Sequence, residues 1–428
     1  MKIVITNAYA RKSGGDMAIL SSLIFELRRV FKNPDIIVAT IDDPAKMCEA
    51  LLNVKCMSSL ITSAWGEKTT RINKLFTLLR SHLSAILWSL VYRYTKKQVD
   101  WLLKKNEKEE MHQLAEADLV IGVGGGYIRE GPGIMKIIDL VLVLRMLSLS
   151  LFLGKKTFLY SQSIGPFSNR AQEKFAACVL KRMQLIVTRE SVSRRLLKKM
   201  GVSDKIVLES TDAAFLIRNQ NCSLQPLPAE VVNIKKDYVG PLVGVTAREW
   251  LSADSQEKFE KEFARALDEI SEKYDAHILF IPQTTFPQKD DDDRIVQKRI
   301  FENMQQKNRA TCMEGSYEYQ ELLSIYDNLD FLIGTRFHSA IFTLIAKVPT
   351  LVIAYEHKAV GIMEDLGLAA WVLDIREVNA PLLVDSFARL CEQREEYLNQ
   401  LNGVLPAYII RAERAVERIK EVYCSSNK

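Results

Sequence analysis

Short runs of apolar, often β-branched residues recur along the chain, and longer stretches with apolar positions three and four apart separate them. In the first half the runs are KIVIT (2–6), IIVAT (36–40), DLVIGVG (118–124), TFLYS (157–161) and LIVT (185–188). Most are apolar throughout rather than alternating, which predicts strands buried on both faces of a parallel sheet covered by helices. Helical patterns follow at Asn169–Met183 and Ser191–Met200, and Gly201 closes the second as a C-cap signal. A second series begins near residue 241 with LVGVTA (242–247), HILFI (277–281), DFLIG (330–334) and TLVIA (350–354). Between the series, Asn219–Gly240 carries Pro226, Pro228 and Gly240 without a sustained period and reads as a linker. The pattern predicts an α/β protein of two Rossmann-like domains, 1–218 and 241–380, facing one another across a cleft. A helical segment, 381–428, is expected to pack back across them. Open α/β sheets bind ligands at the carboxyl ends of their strands, so the strand exits are where chemistry is expected.

Two stretches raise the question of a membrane. IMKIIDLVLVLRMLSLSLFLGK (134–155) is strongly apolar, but Lys136, Asp139 and Arg145 interrupt it, which predicts a buried amphipathic helix rather than a span. From 68 to 105 nine lysines and arginines face one acidic residue, Asp100, with Trp88, Tyr92, Tyr94 and Trp101 among the apolar positions. The simpler reading is a helical pair packed on the N-terminal domain with a solvated basic face. The other is a segment lying on an anionic membrane surface. The N-terminal MKIVITNAYARKSGGD lacks signal-peptide architecture, because its apolar run is short and leads into polar residues.

Composition narrows the class. Hydrophobic content of 48% and charged content of 26% over 428 residues describe an ordinary globular chain with room for two cores. A net charge of +5 is mild, and no basic block of nucleic-acid type occurs. The seven cysteines are scattered without a CxxC pair, which argues for reduced thiols in a cytoplasm and against a zinc site.

Several strand exits carry residues suited to chemistry. ITNAYARKSGGDMAIL (5–20) sets Gly14, Gly15 and Asp16 between the first strand and the first helix, where a helix N-terminus favours an anion and Asp16 can cap. The spacing is not GxGxxG, and no GxxxxGK[ST] occurs, so nucleotide-phosphate loops gain little support. GVGGGYIREG (122–131) holds Gly124, Gly125 and Gly126 in a row, which points to a ligand-facing loop more than to a simple turn. In SQSIGPF (161–167), Gln162 and Ser163 suit sugar hydroxyls and equally suit loop backbone. TRESVSRRLLKKMG (188–201) looks structural. In the second half, VTARE brings Arg248 and Glu249, GTRFH brings Arg336 and His338, and IAYEHK brings Glu356, His357 and Lys358. Arg248, Arg336 and Lys358 at three strand exits suit a small polyanion bearing phosphate or carboxylate, with His338 among them as a general acid. KDDDDR (289–294) reads as a solvated helix start, with a hard-cation site as the second reading.

Together GGDMAIL, GVGGGYIREG, SQSIGPF, TRESVSRRLL, TDAAF, VTARE, KDDDDR, GTRFHSAI and YEHKAVGIMEDLGL, in this order from about residue 3 to 375, resemble the polysaccharide pyruvyltransferase family, nearest the colanic acid pyruvyltransferase branch. The resemblance implies a GT-B-like pair of Rossmann-like domains with phosphoenolpyruvate as donor and a sugar acceptor that receives a pyruvate ketal. It assigns the Arg-x-His motif to Arg336 and His338, the strand-exit arginine to Arg248 and the lysine after the Tyr-acidic pair to Lys358. Gly14 stands where the family commonly has a polar residue. The base is left among Glu249, Glu356 and Asp16, and the acceptor side among Gly124, Gly125, Gly126, Gln162 and Ser163. No cofactor or metal is expected, and the acceptor is a polymer or a lipid-linked oligosaccharide. Two rivals stand beside this reading: a GT-B nucleotide-sugar glycosyltransferase, for which Glu356 could hold a ribose, and a non-catalytic subunit of a polysaccharide assembly complex.

Overall fold

The apolar runs form parallel sheets in each half of the chain. The structure is a computed structural model that describes residues 1–9, 11–51, 54–59, 71–129, 136–167, 169–220, 225–286 and 291–425. The start of the basic segment (68–70), the end of the triple-glycine stretch (130–131) and the head of the apolar stretch (134–135) lie outside them. So do part of the linker (221–224), the first two residues of KDDDDR (289–290) and the last three residues, 426–428.

One compact unit comprises Met1–Arg11, Ile19–Ala213 and Arg411–Lys428. Its strands are β1 (Lys2–Ala8), β2 (Asp35–Thr40), β3 (Lys55–Ser58), β4 (Leu119–Gly122), β5 (Gly125–Ile128), β6 (Lys156–Ile164), β7 (Leu185–Thr188) and β8 (Val207–Glu209). They pair in parallel in the order β3-β2-β1-β4-β6-β7-β8, with β5 added beside β6. Ile3 stands opposite Ile36 on one side and Leu119 on the other, so the middle of the sheet is apolar on both faces. The apolar stretch forms the helix Lys136–Phe152, whose Leu140, Leu144, Leu147 and Leu151 pack with Leu159 and Ile186. Its Met146 and Leu149 pack with Val4 and Val120 in a second cluster. Core leucines of this kind contribute roughly 1.5–3 kcal/mol each, which is why the stretch is a core helix; among the described residues no helix is long and apolar enough to cross a membrane.

The basic segment folds as the helix Arg71–Thr95 followed by the helix Lys105–Glu116. Ala85 and Trp88 of the first are fully buried and pack with Met111 and Leu114 of the second. The indole of Trp88 donates to Asp100 at 3.1 Å.

The other unit comprises Lys12–Ala18 and Ala214–Ile410. Its main strands are β9 (Leu242–Thr246), β10 (His277–Phe280), β13 (Ala310–Cys312), β14 (Phe331–Gly334), β15 (Thr350–Ala354) and β16 (Val372–Asp374), with a small antiparallel pair, β11 (Thr285–Phe286) and β12 (Asp291–Asp292). The parallel order is β13-β10-β9-β14-β15-β16.

The division of the chain differs from the expected one. The break falls at Ala213/Ala214, because Phe215, Leu216 and Ile217 are buried and Phe215 meets Tyr408 edge-on at 5.1 Å. The expected linker contains the helix Ala229–Asp237, anchored by buried Val231. The C-terminal helix Arg394–Ser425, with Pro406 inside it, groups with one unit up to Ile410 and with the other from Arg411.

Candidate functional site

Strands β9, β14 and β15 are neighbours in one sheet, and Thr246, Gly334 and Val352 stand level across them. Parallel strands in register end on the same side, so Arg248, Arg336 and Tyr355–Lys358 leave the sheet along one edge, as expected from the sequence. The exit of β14 is braced locally. Thr246 accepts the Arg336 N–H at 3.3 Å through Oγ1, which also shares a hydrogen bond of 2.9 Å with the Ser339 hydroxyl. The Ser339 hydroxyl contacts the Arg336 carbonyl at 2.6 Å and ties down the first turn of the helix Phe337–Ala346.

Arg336 is buried, and its guanidinium is held by Asp293: Nε donates to Oδ1 at 2.8 Å and Nη2 donates to the same oxygen. The second carboxylate oxygen of Asp293 accepts the backbone N–H groups of Gln283 and Thr284, each at 3.0 Å. Asp293 lies in the first turn of the helix Asp293–Asn303 and is 1% exposed. A buried ion pair with its remaining lone pairs satisfied is a positioning device more than a source of net stability. This corrects the expected solvated helix start at KDDDDR. Asp292 is buried too and caps the helix by accepting from the Arg294 N–H at 3.1 Å. The Arg294 guanidinium, hydrogen-bonded to Asp292, holds its carboxyl below the ordinary value. Among the described residues no cluster of side chains could hold a metal ion.

The same Gln283–Thr284 segment receives the glycine loop. Ser13 bridges to Thr284, and the Gly14 N–H reaches the Gln283 carbonyl at 3.4 Å. Gly15 then lies flat against His338: a Cβ on Gly15 would sit 2.0 Å from Nδ1 of the imidazole. Only glycine admits the ring there. Asp16, in the first turn of the helix Gly14–Val30, accepts the Ser13 hydroxyl at 2.7 Å. Three motifs far apart in sequence therefore form one knot: Ser13–Asp16, Asp292–Asp293 and Arg336–His338. It gathers the first turns of three helices, whose N–H groups and dipoles favour an anion.

The other two cations at these strand exits each have a partner. Lys358 pairs with Glu356 at 3.0 Å, both at the start of the helix His357–Asp365. Arg248 lies over the rings of Trp250 and Tyr355, 5.2 and 5.0 Å from their centroids, and donates to the Tyr355 hydroxyl at 2.9 Å. Glu249 is exposed and pairs with Arg299 at 2.8 Å, and Arg299 also binds Glu260. A cavity of about 220 Å³ is lined by Glu249, Asp292, Asp293, Ile295, Val296, Arg299 and Arg336. Neither Arg248, His338 nor Lys358 lines it. Asp293 and Arg299 are the residues sequence reasoning missed; the run of four aspartates was the available signal for the first.

The predicted acceptor residues make contacts within their own unit. A Cβ on Gly124 would lie 2.3 Å from the Ser161 carbonyl oxygen, so glycine is required there by the close approach of β6. Gly125 and Gly126 are part of β5. Gln162 is fully buried and donates to the carbonyls of Gly125 at 3.0 Å and Ser163 at 2.8 Å. Ser163 accepts from Arg189 Nε at 2.7 Å and donates to Glu190 at 3.1 Å, while Arg189 pairs with Asp212 at 2.7 Å. These side chains brace the ends of β6 and β7 through internal hydrogen bonds. TRESVSRRLL is structural, as read.

Comparison with known proteins agrees with this arrangement. The family described as Polysaccharide pyruvyl transferase matches residues 14–357, from the glycine loop to the start of the Lys358 helix. The amylovoran biosynthesis protein AmsJ of Erwinia amylovora is 26% identical over 296 residues, spanning 68% of this chain and 69% of AmsJ. Among solved structures, the UDP-GlcNAc 2-epimerase of Neisseria meningitidis bound to UDP-GlcNAc superposes with a TM-score of 0.60 at 13% identity, covering 99% of this chain and 100% of that one. Anabaena Alr3699/HepE in complex with UDP-glucose gives 0.59 at 13% identity, covering 99% and 100%. These likenesses establish a GT-B-like fold. With the family match spanning the glycine loop, the aspartate run and the Arg-x-His turn, the chain belongs to the polysaccharide pyruvyl transferase family.

Proposed function

We propose that the chain transfers the pyruvyl group of phosphoenolpyruvate to a sugar of an exopolysaccharide, of the colanic acid kind, or of its lipid-linked precursor, in the cytoplasm. The observation that carries this reading is the knot joining Gly15 to His338 and Asp293 to Arg336. It sets a titratable ring and a guanidinium two residues apart beside helix N-termini, a setting suited to an anionic enol ester.

In the proposed reaction His338 gives a proton to the methylene carbon of the donor, which leaves an oxocarbenium-like C2. One sugar hydroxyl oxygen bonds to C2, the C2–O bond to phosphate breaks, and a second hydroxyl closes the ketal. Of the two hydroxyl protons lost, one is accounted for on the new methyl group and one on the departing phosphate. Arg336, Arg248 and Lys358 are proposed to hold the phosphate and carboxylate. Among the three candidate bases, Glu249 and Glu356 are each tied to a cation, whereas Asp16 accepts a neutral hydroxyl and adjoins Gly15. Asp16 is our choice. No step calls for a metal, so turnover should survive EDTA.

Incubation with phosphoenolpyruvate and a panel of sugar acceptors, followed by phosphate release and product mass, tests the proposal. A ketal-bearing product with equimolar phosphate is expected. Consumption of a sugar nucleotide without phosphoenolpyruvate would replace this reading with a GT-B glycosyltransferase.

A further inference from the structure

The helix Arg71–Thr95 has a face that its own unit leaves uncovered. Leu79, Leu83 and Leu87, four residues apart and hence on one side of the helix, are 52%, 66% and 50% exposed. Ala85, Trp88 and Ser89, on the other side, are fully buried. Tyr94, in the last turn of the helix, and Trp101, beyond it, are 78% and 82% exposed. These five are nearly half of the large apolar side chains that stand out in solvent among the described residues. Packing of the helix therefore does not account for them.

Basic residues lie on the same helix and in the segment that follows it. Arg80, Arg93, Lys96, Lys97, Lys104 and Lys105 are all exposed. Asp100 is the single carboxylate from 79 to 105, and it already accepts from the Trp88 indole at 3.1 Å and faces His112 at 2.9 Å. Lys96 lies 5.5 Å from the Tyr92 ring and Arg93 5.9 Å from the Tyr94 ring, so aromatic and basic groups alternate along the end of the helix.

We infer that this face docks on an anionic lipid bilayer. Leucines at i, i+4 and i+8 would enter the acyl boundary, Tyr94 and Trp101 would sit at headgroup depth, and the six cations would meet lipid phosphates. A protein partner would need a compensating acidic surface and a matching apolar groove. A bilayer supplies both charge and apolar depth without shape, which suits an alternating, irregular face. The inference does not rest on the catalytic reading, because lipid binding is measured without substrate.

The test is flotation of the full chain with vesicles of phosphatidylcholine alone or mixed with phosphatidylglycerol. The chain should float with the mixed vesicles, release in high salt and stay at the bottom with the neutral ones. L83E/L87E should lose binding by about tenfold or more, and so should K96E/K97E, with unchanged circular dichroism in both. Trp101 fluorescence should shift to the blue on binding, and the shift should vanish in W101F. Absence of flotation, equal binding to neutral vesicles, or retained binding in both charge-reversed variants would overturn the inference. So would a homodimer in sedimentation that L83E/L87E dissolves, since the face would then belong to a second copy. Phosphate release with a water-soluble acceptor should be unaffected by either variant, which separates failure of this inference from failure of the proposed reaction.

Discussion

At the scale of single residues, the pair Asp293–Arg336 decides most. Arg336 and His338 were legible because two polar residues at the exit of a buried strand need a reason. Asp293 was not, because an acidic run before a helix is ordinarily solvated and its partner lies 43 residues away. Burial of a carboxylate is set by what surrounds it, not by its neighbours in sequence. Asp293→Ala should therefore remove a carboxylate from a buried ion pair with Arg336 and cost about 3–5 kcal/mol in urea unfolding. His338→Ala should lower turnover by roughly 10²–10⁴-fold, the usual range for a lost general acid, with donor affinity retained; turnover close to that of the parent would remove the assigned role. Gly15→Ala tests the contact itself. A methyl group 2.0 Å from Nδ1 must displace the ring, so kcat should fall while unfolding changes little.

At the scale of elements, the inner strands of both sheets were readable from the apolar runs, and LVGVTA, DFLIG and TLVIA are each followed within a few residues by the charged groups singled out at their exits. What the runs could not convey is pairing order. Gln162 and Ser163 looked available because nothing local to them requires Arg189, Glu190 or Gly125; the order β4-β6-β7, with β5 against β6, brings those groups alongside. The start of the helix Asp293–Asn303 carries a pH signature. The Arg294 guanidinium holds the Asp292 carboxyl below its ordinary 3.8, so this cap stabilises the fold above that value and the contribution fades as pH falls through the depressed one. Asp292→Asn should lose about 1 kcal/mol at neutral pH, and the gap to the parent should close in thermal scans taken below pH 3.8. A gap that widened in acid would reverse the sign and dismiss the cap.

For the molecule as a whole, the two parallel sheets follow from fully apolar strand runs alternating with helices, a pattern whose physical meaning is burial on both faces. Donor binding should be visible as linkage. Phosphoenolpyruvate at 100 times its Kd should add about 2.7 kcal/mol to stability, read as a higher Tm, and Arg336→Ala should remove most of the shift. A UDP-sugar giving the larger shift would favour the glycosyltransferase reading. The chain's own pattern was enough to establish the inner strands of both sheets, their parallel class and the charged residues beyond some of them, because periodicity and burial are local consequences of residue type. Only the folded structure decided which charges are neutralised, which glycines face another chain segment, and that Gly15 lies against His338. Those outcomes depend on which side chains the fold brings together, across 43 positions for Asp293 and Arg336 and much farther for Gly15 and His338, and a contact of that kind leaves no mark on either stretch alone.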